Sequence, residues 1–235
     1  MRKLKNKVKE HIRKVGPIYR TYRKMSRLFN MGPEDYYTVI DDWKVVFFYL
    51  PKNANTSLKR AIYKKLYGRD TKSLHKNFPK TRFRSPNKKG YFKFVIVRNP
   101  YDRLVSAYKN KIVSPGQTGV INSQKELYRD MPFKDFVKAI CRTPDSKLDR
   151  HFRPQSWFIK DKNGKIIPDF IGKFENLPKD YETIMKKIGF KNFPELSTDN
   201  KEKRKRNYRT YYDEETKNLV RNKYKEDLNL FDYEF

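Results

Sequence analysis

The 235-residue chain has one cysteine, Cys141, so no disulfide within it can staple the fold. A lone thiol fits a reducing compartment. Long apolar runs are missing too. No stretch approaches the roughly 18–20 residues of a membrane span, and the basic N-terminus lacks the apolar core of about 7–15 residues that a secretory signal needs. A cytoplasmic home is the expectation. Acidic residues are scarce: 27 Asp and Glu stand against 56 Lys and Arg, a formal charge of +29. Such an excess sets up a field that concentrates polyanions and anionic small molecules. The chain is not short of material for a core, with 17 Phe, 17 Tyr and several apolar runs. This excludes disorder throughout, and the length suits one large domain or two small ones.

The positive charge is uneven. Met1–Arg27 is dense in Lys and Arg with Glu10 its one acidic residue, and Leu4, Val8, His11, Ile12 and Val15 recur at nearly helical spacing up to Gly16-Pro17. Residues 1–35 therefore read as a basic N-terminal arm, suited to packing on the domain or to peripheral contact with an anionic membrane surface such as the inner leaflet. A second basic run is Lys201–Arg209.

From Tyr37 onward strand-like and helix-like segments alternate, which predicts an α/β layer fold over residues 36–235. Trp43–Leu50 reads as a buried strand closed by Pro51. A helix follows, capped by Asn55 or Thr56, with Leu58, Ala61, Ile62 and Leu66 on one face and Gly68 at its end. Phe92–Val97 is a second strand, followed by a helix from about Tyr101 to Lys111. Ile112–Asp130 reads as a surface loop or lid. Pro132 starts a helix carrying Phe133, Phe136, Val137 and Ile140. Asp169–Phe174 is a third strand, followed by a helix with Tyr181, Ile184, Met185 and Ile188. A last helix starts at Asp213.

Chemistry gathers at the ends of the first two strands. Pro51–Leu58 is a short loop feeding a helix N-terminus, where unpaired backbone N–H groups and the helix dipole favour an anion. Thr56 and Ser57 add hydroxyls and Lys52 a mobile point charge. The glycines of GxxxxGK[ST] are absent, which disfavours a nucleoside-triphosphate enzyme. At the end of the second strand, Arg98 offers paired donors and Ser106 a hydroxyl two turns along the next helix. Asp102 and Arg103 read as a surface pair or as packing residues. Two anion seats at the ends of neighbouring strands suggest a ligand with two separated phosphates.

Leu50-Pro51-Lys52-Asn53-Ala54-Asn55-Thr56-Ser57-Leu58 resembles the 5′-phosphosulfate loop of the Golgi-type carbohydrate sulfotransferases, and Phe94–Tyr108, with Arg98 and Ser106, resembles their 3′-phosphate motif. The similarity continues through His151-Phe152-Arg153-Pro154-Gln155, Ile171–Leu177 and Asp213–Tyr233. The resemblance implies a P-loop-like three-layer fold with a central, mainly parallel sheet. It also implies transfer of a sulfuryl group from 3′-phosphoadenosine-5′-phosphosulfate to a sugar hydroxyl, without a metal. On this view Lys52 contacts the bridging oxygen. The backbone amides of Asn53, Ala54, Asn55, Thr56 and Ser57, with the Thr56 and Ser57 hydroxyls, hold the 5′-phosphate, and Arg98 and Ser106 hold the 3′-phosphate. The run Lys203–Arg209 is a flexible clamp over the nucleotide, with Arg206 and Tyr208 its candidates.

The acceptor hydroxyl needs a base near neutral pH, which favours histidine. His75, between the two cofactor motifs where related enzymes place a catalytic histidine, is the first candidate and His151 the second. His11 falls in the basic arm. Glu175 is a candidate for acceptor binding or else a structural ion pair. Departures from the family are the absence of an N-terminal anchor and of several cysteines, Asn53 and Asn55 in place of small residues or glycine, and Phe152 in place of Trp. They fit a bacterial or viral cytosolic enzyme acting on a surface glycan or glycolipid precursor, with no obligate protein partner and no nucleic acid. The competing readings are a basic nucleic-acid-binding protein, which the charge favours, and a small-metabolite kinase of related fold.

Overall fold

The computed structural model describes residues 37–71, 73–78, 86–114, 118–124, 126–196 and 207–235. The basic arm over residues 1–35 and Arg206 lie outside the described residues. The strands are β1 (Tyr37–Ile40), β2 (Val45–Phe48), β3 (Phe92–Val97) and β4 (Phe170–Lys173). The helices are α1 (Asn55–Tyr67), α2 (Leu74–Asn77), α3 (Pro100–Tyr108), α4 (Thr118–Ser123), α5 (Phe133–Arg142), α6 (Leu177–Ile188), α7 (Glu214–Lys223) and α8 (Lys225–Phe231). The sheet runs β1-β2-β3-β4, with β1 antiparallel to β2 and the other pairs parallel.

Strand periodicity sends Val45, Phe47, Phe94 and Ile96 to one face and Val46, Phe48, Val95 and Val97 to the other. Both faces are buried, which is why these strands read as unbroken apolar runs. Leu58, Ala61 and Ile62 of α1 and Tyr181, Ile184 and Met185 of α6 cover the first face, where the Phe47 and Phe94 rings stack 4.8 Å apart. Phe158, Ile159 and Phe231 cover the second. A further cluster joins α3, α5 and α7 through Leu104, Tyr108, Phe136, Ile140, Val220 and Tyr224. The result is a mixed α/β domain with a mostly parallel four-stranded sheet flanked by helices. No helix among the described residues is long and apolar enough to cross a membrane.

Four local outcomes differ from the sequence reading. The edge strand β1 is a four-residue element that it did not single out. Helix α1 is capped by neither Asn55 nor Thr56: its N-cap is Ala54, which makes no side-chain capping bond. The Ile112–Asp130 segment is more than a surface loop. Its described part includes the end of a π-helical turn, Lys109–Val113, and α4, and it buries Ile112, Val120 and Leu127 in the cluster of α3 and α5. The last helix breaks at Tyr224 into α7 and α8. Its start is as expected, since the Asp213 carboxylate accepts from Thr216 N while Thr216 Oγ1 accepts from Asp213 N.

Gly172 in β4 fixes how closely α6 approaches the sheet. A Cβ there would lie 2.6 Å from Ile96 Cδ1 and 3.0 Å from Asp180 Cβ. Gly172→Ala is therefore expected to cost about 1–3 kcal/mol through overpacking, read as a lower urea midpoint at unchanged m-value.

Candidate functional site

Register places the site. Phe48 pairs with Val95, so the chain leaves β2 and β3 at the same end of the sheet, in the crevice beyond the strands' carboxyl ends. After β2, Lys52 (φ 74°) and Ala54 (φ 57°) both take the left-handed conformation. For residues other than glycine such conformations cost on the order of 1–3 kcal/mol and persist where the surroundings over-determine them. Asn55 Nδ2 donates back across the loop to Leu50 O. Asn53 is fully buried, and its Nδ2 donates to Ile96 O at 2.8 Å and to Gln155 Oε1 at 2.7 Å. Its carboxamide is therefore turned into the protein, and its backbone N–H donates within the loop to Leu50 O at 3.4 Å. The first intrahelical bond runs from Leu58 N to Ala54 O. The N–H groups of Asn55, Thr56 and Ser57 precede that ladder at the positive end of the α1 dipole. Thr56 is exposed and Ser57 buried.

Arg98 follows β3. Its Nε and Nη2 donate to Asp102 Oδ2 at 2.9 and 2.8 Å, its Nη1 donates to Lys52 O at 3.0 Å, and the guanidinium lies 4.1 Å over the Phe174 ring. Asp102 and Ser106 are one helical turn apart on α3, and the Arg98 guanidinium, just before the helix, is bonded to Asp102 on that face. Asp102 thus partners Arg98 and is no surface partner of Arg103. Arg103 is a buried tie: Nε donates to Pro51 O at 3.1 Å, Nη1 to Arg153 O at 2.8 Å and Nη2 to Arg150 O at 3.4 Å. It holds the Lys52 loop against residues 150–153.

Asn99 caps α3, accepting from Tyr101 N, and its Nδ2 donates to Glu234 O and, at 3.4 Å, to Tyr208 OH. This sets Tyr208 beside the Arg98 turn. Glu175, a candidate for acceptor binding or else a structural ion pair, bonds that turn: Oε1 accepts from Asn99 N at 2.9 Å and Oε2 from Tyr233 OH at 2.6 Å.

The electrostatics single out Lys52. Burial, then the charges of Arg98, Lys111 and Arg103, lower its pKa to about 8. Four cationic side chains thus converge beside the loop that enters the positive end of α1. Lys111, on the π-helical turn, also presses on His151, so the Lys52 loop and the His151 turn border one ammonium group. Asp149 Oδ1 accepts from His151 Nδ1 at 2.6 Å and from His151 N at 2.9 Å. A carboxylate only accepts, so Nδ1 carries the proton and Nε2 is the basic nitrogen. Burial first, with the charges of Lys111 and Arg150, lowers the His151 pKa below the ordinary histidine value although Asp149 raises it. The ring is neutral at neutral pH, as a base must be. Of His75 the structure describes the backbone alone, in the single turn α2.

Sequence reasoning did not assign Arg103, Lys111, Asp149 or Gln155. Only Asp149 left a local signal, a carboxylate two residues before a histidine. The others act across the fold or, for Lys111, through a π turn that periodicity does not show.

The sequence pattern described as "Sulfotransferase family" matches residues 35–234. Carbohydrate sulfotransferase 11 of Rattus norvegicus is 27% identical over 194 residues, covering 68% of this chain and 54% of that protein. Carbohydrate sulfotransferase 14 of Danio rerio is 29% identical over 125 residues, covering 46% and 34%. Carbohydrate sulfotransferase 10 of Homo sapiens is 30% identical over 119 residues, covering 43% and 33%. The chain thus spans about a third to a half of the length of these relatives. No solved structure gives a significant match. A match running from just before β1 to the last turn of the chain places this protein in the sulfotransferase family.

Proposed function

We propose that the chain transfers a sulfuryl group from 3′-phosphoadenosine-5′-phosphosulfate to a hydroxyl of a carbohydrate. The observation that carries this reading is the Lys52 ammonium, held among Arg98, Lys111 and Arg103 with its pKa lowered to about 8, at the mouth of a loop whose amides precede a helix. Charge of one sign is gathered there against its own repulsion, and a multiply charged anion relieves it. Bound there, the nucleotide supplies the sulfuryl group, and the electron pair of the broken S–O bond remains on its phosphate. The amides of Asn55, Thr56 and Ser57 hold the 5′-phosphate, as glycine-rich phosphate loops do with a different sequence. Arg98, in the turn before α3, and Ser106, on α3, hold the 3′-phosphate, with Tyr208 beside the Arg98 turn. Lys52 neutralises charge on the leaving oxygen. His151 Nε2 takes the acceptor's proton, and Asp149 holds the imidazole in the required tautomer and supports the imidazolium. A carbohydrate acceptor is supported by the names of the relatives.

Calorimetric titration with adenosine 3′,5′-bisphosphate between pH 7 and 9.5 tests the site. An anion beside Lys52 raises its pKa. Below about pH 8 the group is charged before binding, and little proton uptake is due to it. Above that value binding must protonate it, so affinity falls by up to about tenfold per pH unit while uptake approaches one proton. Absence of binding at micromolar nucleotide would refute the reading, and pH-independent binding would remove Lys52 from the contact.

A further inference from the structure

Between the two anion seats sits a carboxamide that belongs to neither. Gln155 is fully buried. Its Oε1 accepts from Asn53 Nδ2 at 2.7 Å and from Arg98 N at 3.0 Å, and its Nε2 donates to Arg98 O at 2.8 Å. One planar group thus spans from the residue after Lys52 to Arg98, the first residue past β3. It is held in turn from α8. The fully buried Asp227 accepts from Gln155 N through Oδ2 at 2.6 Å and from Ser156 N through Oδ1 at 2.8 Å. On the far side of the bridge, Asn53 commits its Nδ2 to both Gln155 and Ile96 O, while its buried Oδ1 has no partner among the described residues. Leaving a buried acceptor unpaired is unfavourable. The carboxamide is oriented for the bridge even so.

We infer that Gln155 is a positioning residue that sets the separation of the two phosphate seats, so that the two phosphates of the nucleotide are recognised as a pair. This rests on the proposed nucleotide reading and goes beyond it. A ligand joined at both ends gains from the second contact only if the seats are held at its own span, because the second contact is then made without further ordering. The bonds of Arg98 Nη1 to Lys52 O and of Asn53 Nδ2 to Ile96 O each tie the loop after β2 to β3 or its turn at one point. Gln155 adds one planar group that bonds both segments and so fixes their spacing.

The test compares adenosine 3′,5′-bisphosphate with adenosine 5′-monophosphate on wild type and Gln155→Met, a change of similar volume that removes every side-chain bond of the bridge. Affinity for the monophosphate is expected to stay within about threefold. Affinity for the bisphosphate should fall by on the order of tenfold or more, so the preference for two phosphates collapses. A role in core stability alone would lower the melting temperature and leave the ratio of the two affinities unchanged, and that result overturns the inference. Should Gln155→Met fail to fold, Asn53→Ala breaks the bridge from the other side and is read by the same ratio. Wild-type protein that binds neither nucleotide refutes the proposed function itself. Wild type that prefers the bisphosphate, with a variant that keeps the preference, refutes this inference alone.

Discussion

Lys52→Ala is expected to reduce sulfuryl transfer by on the order of 10²–10³-fold or more without lowering the melting temperature of the free protein. The loss follows from where charge develops. As the bond to sulfur breaks, negative charge builds on the phosphate oxygen, and a desolvated ammonium is worth far more there than in water. The unchanged or raised melting temperature follows from the same group's surroundings. The lysine pKa falls from 10.5 to about 8 on folding, so the folded state resists its charged form. That penalty is fully present below about pH 8 and disappears as pH rises through 10.5, since between these values the unfolded chain binds the additional proton. Removing the side chain at pH 7 removes the penalty along with some apolar stem packing. Lys52→Arg should not restore activity, because a planar guanidinium cannot replace a compact point charge in this enclosed site. Single-turnover rates and thermal melts of both variants measure these effects. A Lys52→Ala protein turning over at the wild-type rate would displace Lys52 from the reaction.

His151→Ala is expected to lower kcat/KM by about 10²–10⁴-fold, the usual contribution of a positioned general base. Its pH profile separates a base from a packing residue. The wild-type acid limb reports loss of the proton from His151 and falls below the ordinary histidine value, since burial with the charges of Lys111 and Arg150 outweighs the neighbouring carboxylate. Asp149→Asn removes a charge that raises the His151 pKa, so the limb should move to still lower pH even as the plateau rate falls, because a neutral amide supports the imidazolium less than the carboxylate 2.6 Å from Nδ1 does. A base elsewhere, His75 included, would leave the limb where it was in both variants. An unchanged plateau in His151→Ala would contradict the assignment.

Much of the fold was legible because the strands that carry it are buried on both faces. Phe92–Val97 coincides with β3, and Gly68 ends α1 as its left-handed φ of 64° requires. The edge strand β1 is only four residues long. Val120 and Leu127 sit in a polar stretch without a stripe, so no period announces their burial. The cap of α1 was misread because Asn55 uses its side chain to close the loop onto Leu50 O. At the site, Lys52 and Arg98 were readable from their positions at strand ends. What links them was not. Arg103 meets carbonyls 47–52 residues away, and Gln155 meets Arg98 and Asn53 at separations of 57 and 102 residues. Such bonds exist only once the chain has folded, and Arg103 in particular reads locally as a surface charge.

The central claim is transfer, and one assay addresses it directly: purified protein with donor labelled in its sulfate, offered a panel of acidic and neutral glycans. The account predicts label on a hydroxyl of at least one carbohydrate, with one adenosine 3′,5′-bisphosphate released for each group transferred and with the rate abolished by Lys52→Ala. Donor that stays intact with every glycan offered, or an equal rate in the Lys52→Ala protein, would contradict it.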